Sequence, residues 1–110
     1  RIIDDLRFNW QWGFQHVKKA EAQLEFLYAQ TWIARRGWRG RENTPAECAA
    51  VSKAQEAFHA ACARQVLIPA PALVDLNWKK RTWVFRQKAT PEMLAAVEAD
   101  ETRVASRGRA

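Results

Sequence analysis

Leu6-Arg7-Phe8-Asn9-Trp10-Gln11-Trp12-Gly13-Phe14 decides the fold of this chain, because two periods run through it. Leu6, Phe8, Trp10, Trp12 and Phe14 alternate with Arg7, Asn9, Gln11 and Gly13, the period of a half-buried strand rich in strand formers. A second spacing takes in Ile3, Leu6, Trp10, Gly13, Val17, Ala20, Leu24, Leu27, Thr31 and Ala34, in steps of three and four. That is the seam of a long helix packed against a partner helix. The unbroken heptad outweighs the local alternation, and residues 5–15 are read as helix. This choice leaves Phe8 and Trp12 on the face opposite Leu6, Trp10 and Val17. Two large aromatics there call for a second partner, such as another subunit, and make Phe8 and Trp12 candidate interface residues.

Working outward, Asp4 and Asp5 favour the amino end of this first helix and Arg35 and Arg36 its carboxyl end, through the macrodipole. Gly37 supplies the stop. The next helix opens with Thr44-Pro45-Ala46-Glu47: an N-cap threonine, a proline suited to the first helical position, and a glutamate placed to complete a capping box. It should run to about Val66. Ala46, Ala50, Ala54, Ala57 and Ala61 form one stripe, and Cys48, Val51, Phe58 and Cys62 a second beside it, which implies burial against two neighbours. With a short turn between them, the first two helices should lie antiparallel.

Pro69 and Pro71 make residues 67–72 extended. Residues 73–88 carry both signals. Leu73, Leu76, Lys80 and Trp83 have helical spacing, whereas Val74, Leu76 and Trp78, then Trp83 and Phe85, suit the arms of a hairpin. Thr90-Pro91-Glu92 starts a last helix with Met93, Leu94, Val97 and Val104 as its buried edge. The expected fold is mainly α: an antiparallel hairpin of two long helices plus a C-terminal helix, with a short β-hairpin around residues 73–86 as the alternative there. Residues 1–105 read as a single small helical domain and residues 106–110 as a frayed basic tail.

The chain has 110 residues and a formal net charge of +6. This length suits one domain that buries about two thirds of its unfolded surface. Nine of the eighteen basic residues fall in Arg35–Arg41, in Lys79–Arg81, and at Arg86 and Lys88, while the remainder sets nine basic against twelve acidic residues. The positive charge is local, as a binding surface would have it. Apolar runs are too short for a transmembrane helix. Cys48 and Cys62, fourteen residues apart on one helix, are ~21 Å apart and cannot pair. They read as buried reduced thiols, which fits a cytoplasmic protein.

No catalytic constellation is present. His16 and His59 lie in no nucleophile or zincin pattern, and Gly37 and Gly40 lack the Lys-Ser/Thr of a phosphate loop. His59 and Cys62 share a helical face but find no closely paired ligands elsewhere, so no metal site and no cofactor are expected. Binding remains. Trp38 is flanked by Arg35, Arg36, Arg39 and Arg41, and Trp78 precedes Lys79, Lys80 and Arg81. These cations would hold phosphates and the two indoles would stack on bases, so the first reading is a non-enzymatic nucleic-acid-binding protein, with single strands within its range. The alternative is a protein-interaction or assembly protein that homo-oligomerises through its long first helix, a type frequent among phage and mobile-element accessory proteins. No helix sets a full basic face against a full aromatic face, which argues against a membrane-surface role.

Overall fold

The computed structural model describes the backbone of residues 2–37 and 44–108 and the side chains of residues 4–31 and 44–107. Five helices follow in order: α1 (Ile2–Gly37), α2 (Pro45–Val66), α3 (Leu73–Arg81), α4 (Trp83–Lys88) and α5 (Pro91–Gly108). Among the described residues there is no strand, so both contested segments, 5–15 and 73–86, are helical. Tertiary burial decides the first. A helix places Trp10, Val17 and Leu24 on one line against α2, and all three are buried.

α1 and α2 form the antiparallel hairpin. Gly13 faces the end of α2 closely: a Cβ there would stand 2.4 Å from both Gln65 Oε1 and Ile68 Cδ1. Gln65 is itself held, donating from Nε2 to the Trp10 carbonyl at 2.9 Å. Of the two stripes expected on α2, the alanines are split, with Ala54 and Ala61 buried and Ala46, Ala50 and Ala57 exposed. Cys62, Gln65 and Val66 complete the buried face of α2. Cys48 is exposed and Cys62 buried, so only the second thiol matches the expectation for the pair. The caps read from sequence form. Thr44 Oγ1 accepts from the Glu47 N–H at 3.1 Å, and Thr90 Oγ1 accepts from the Met93 N–H at 3.2 Å.

α3, α4 and α5 gather at the N-terminal half of α1 and the C-terminal half of α2. There Trp10, Val17, Cys62, Val66, Leu76, Val84, Met93 and Val97 join one core. Beyond Leu24 the described part of the molecule is a two-helix arm, and the whole measures 61 × 26 × 17 Å. Thr82, with ψ 140°, breaks the third segment into two helices. Within α3 the buried pair is Leu76 and Lys79, not the Leu73–Leu76–Lys80–Trp83 line. Leu94, expected on the buried edge of α5, is exposed, while Met93 and Val97 are buried as expected. α5 continues through Arg107, whose guanidinium donates to the Pro71 carbonyl, so helix extends into the segment expected to fray.

Candidate functional site

The outer face of α1, turned away from α2, is built by the register that buries Trp10 and Val17. Phe8 and Trp12 are 65% and 67% exposed, and their rings stack one helical turn apart with centroids at 6.3 Å. Two turns further the line continues through Lys19 and Ala22 to Phe26, also 61% exposed. Sequence reasoning picked out Phe8 and Trp12 and missed Phe26. The available signal was a second heptad through Phe8, Trp12, Gln15, Lys19, Ala22 and Phe26. Around these rings the exposed residues are mixed: the amides Gln15, Gln23 and Gln30 share the face with Lys19, with His16 one turn from Trp12 and with Asp4 and Asp5 one turn from Phe8. With two carboxylates beside Phe8 and Lys19 as the cation on the aromatic line, this face suits a protein partner better than a phosphate backbone.

The residues expected to hold a polyanion are divided. Arg35, Arg36, Trp38, Arg39 and Arg41 lie outside the residues whose side chains are described. Thr44, at the end of α2 that adjoins them in sequence, is separated along that helix by ~22 Å from His59, against which Trp83 stacks. Lys79, expected at the surface, is fully buried, and this corrects its assignment as a phosphate contact. Its ammonium is paired with Asp100 and lies 5.6 Å from the centre of the Trp10 ring. Burial pushes the Lys79 ammonium below its ordinary range, while the Asp100 carboxylate pulls it back up. Lys80 is partly exposed and paired with Glu101 at 3.0 Å. Arg81 is exposed. Trp78, expected to stack on a base, is half-buried and wedged edge-on against Trp10 and Phe14, at 5.7 and 5.0 Å. It belongs to the core wall.

Asp100 organises a polar knot that no sequence motif announced. Its Oδ1 accepts from the Ala70 N–H at 3.1 Å and from Arg103 Nη2 at 2.6 Å, and Oδ2 takes Lys79. Arg103 also donates to the Ala70 carbonyl at 2.7 Å. The knot ties the proline turn and α3 onto α5. The sequence hint was only an Asp and an Arg three apart on a helix.

A cleft of about 550 Å³ runs between α1 and α3 over Trp10, Phe14 and Trp78, with Lys18, Asp75 and Arg81 at its rim. Burial raises the Asp75 carboxyl, opposed by a hydrogen bond with the Ala72 backbone and by Arg7 and Lys79. On the other side of Trp78, Trp83 is 48% exposed and lies 4.6 Å from His59, nearly parallel to it, with the Lys88 ammonium 5.8 Å from the indole centre. Among the described residues no group of three or more His, Cys, Asp or Glu side chains is placed to hold a metal ion. No described helix is long and apolar enough to cross a membrane.

Comparison with known proteins finds no matching family model, no matching curated protein and no matching solved structure.

Proposed function

We propose that this protein works by binding rather than catalysis, as an assembly or interaction module that docks another polypeptide on the outer face of α1. One observation carries the reading: Phe8 and Trp12 stack on each other in solvent, and Phe26 extends the same line. Exposing three large rings along one helix face is costly unless something covers them. The amides of this face and the Asp4 and Asp5 carboxylates beside Phe8 favour a protein over a polyanion. A photo-reactive phenylalanine analogue in place of Trp12, in the cells that encode the protein, should give a covalent polypeptide adduct on irradiation. The same analogue in place of Glu92, exposed on α5, should not. Equal yields at the two positions defeat the reading.

A second reading is nucleic-acid binding, favoured by the exposed Trp83 with Lys88 over its ring and Arg81 nearby. Trp83 could stack on a base while Arg81, Arg86, Lys88 and the Arg35–Arg41 cluster neutralise phosphates. Mixed-sequence oligonucleotides at about 50 mM salt, where phosphate contacts are strongest, test it directly. Arg81→Glu with Lys88→Glu should abolish such binding, and absence of binding by the wild type defeats it.

A further inference from the structure

Resting on the docking reading, we infer that the occupant of the α1 outer face is a second copy of the same face, packed antiparallel with its two-fold axis level with Val17. The self-complementarity is in the residues. Reversing the helix about Val17 sets Phe8 against Phe26, Trp12 against Ala22 and Gln15 against Lys19, each pair occurring twice. The spacing from Phe8 to Phe26 runs four, three, four, three, four. In antiparallel coiled coils such a repeat pairs first-type with second-type heptad positions, and these pairs comply.

Size and charge both select this arrangement. The largest side chain of the stripe meets the smallest, so Trp12 fills the space that Ala22 leaves. A parallel pairing would stack Trp12 on Trp12, leave a void at Ala22 and place Lys19 against Lys19. The antiparallel form gives Lys19 an amide partner. Lys18 would meet its own copy near the axis, but its ammonium is turned 5.8 Å over the Phe14 ring, toward the cleft.

The area is adequate. Each aromatic side chain offers ~150–250 Å², so six rings about two thirds exposed supply ~800 Å². The stems of Gln11, Gln15, Lys19 and Gln23 from both copies carry the total toward the ~1,200 Å² of a small stable interface. Geometry leaves room for it. The α3–α5 cluster packs on the inner side of the N-terminal half of α1. Trp10 and Val17 point into that cluster, so in an antiparallel pair the two clusters lie on the sides of the joined helices turned away from the shared face.

Sedimentation of the purified chain should show a monomer–dimer equilibrium within the range of about 10–500 µM. Trp12→Ala and Phe26→Ala should each raise the dimer dissociation constant by at least ~10-fold with the helical circular-dichroism signal unchanged. Raising salt should hold or strengthen association, since each copy carries a net charge of +6.

The register is read by cysteine pairing in a Cys48→Ser background. A Gln15→Cys chain mixed with a Lys19→Cys chain should form a disulfide-linked heterodimer, while neither alone should cross-link well. Efficient joining of Gln15→Cys chains to each other overturns the antiparallel register. A chain monomeric at about 500 µM overturns self-pairing altogether. In that case a Trp12 photo-adduct to a different polypeptide leaves the docking reading standing, and absence of any adduct removes both.

Discussion

Lys79 is fully buried, whereas Phe8 and Trp12 are about two thirds exposed. These two regions place charge and aromatic surface where ordinary partitioning would not, and each does so under a different constraint. The buried charge is compensated within the chain: Asp100 faces the Lys79 ammonium, takes Arg103 on its other oxygen and receives the Ala70 N–H. Among the described residues, the exposed Phe8 and Trp12 rings pair with each other. The register that buries Trp10 and Val17 turns both of them outward. One region is closed chemistry that holds the molecule together. The other is an open surface whose cost is recovered only on contact.

The largest effect comes from opening the closed region. Asp100→Ala leaves the Lys79 ammonium buried without its counter-charge and strips the Ala70 N–H and Arg103 of their acceptor. A loss of about 3–5 kcal/mol is expected, read from the urea midpoint. Lys79→Met combined with Asp100→Leu removes both charges and should recover most of that loss, because an apolar pair needs no compensation. A double variant as unstable as Asp100→Ala would show that the knot stabilises through the Ala70 and Arg103 bonds instead.

The next test compares the two faces of α1 directly. Trp10 sits in the core against Phe14 and Trp78, and Trp10→Ala should cost about 3–5 kcal/mol through lost burial and a residual cavity. Trp12→Ala, two residues away, should shift stability by no more than ~0.5 kcal/mol at a dilution where both proteins are monomeric. Equal losses would mean that Trp12 is covered within its own chain, and the contrast between faces would fail.

How far these regions could be read beforehand follows from range. The hairpin is local: a heptad, an N-cap threonine before proline and a stop glycine all act within a few residues. Phe8 and Trp12 were legible for the same reason, since a helix that buries Trp10 must expose them. Phe26 was not, because Gln15, Lys19 and Ala22 between it and Trp12 read as ordinary surface. Lys79 was misplaced because α3 has only nine residues, too few for periodicity to choose between Lys79 and Lys80 as the inward position. What decides is Asp100, twenty-one residues on, and nothing local to α3 predicts that meeting. Basic clustering signals a surface only where no buried carboxylate answers it.

The smallest effect sharpens the comparison chemically, through two thiols on one helix. Cys48 is exposed and Cys62 lies in the core. Burial pushes the Cys62 thiol above its ordinary range, reinforced by Glu21 and opposed by a hydrogen bond with Thr82. Access to reagent differs between them, so alkylation near neutral pH should modify the exposed Cys48 first. Cys62 should react slower by on the order of 10³ or more, at the pace set by opening of the fold. The sign of the pH dependence follows from the raised value. As pH climbs through the ordinary thiol range of about 8.5, the unfolded chain gives up the Cys62 proton while the folded chain keeps it, so stability falls across that window and is unaffected below it. Mutating Cys62 to Ala should remove this alkaline decline, whereas Cys48→Ser should leave it in place. A decline that survives Cys62→Ala would assign it to another group and separate the core thiol from the pH response.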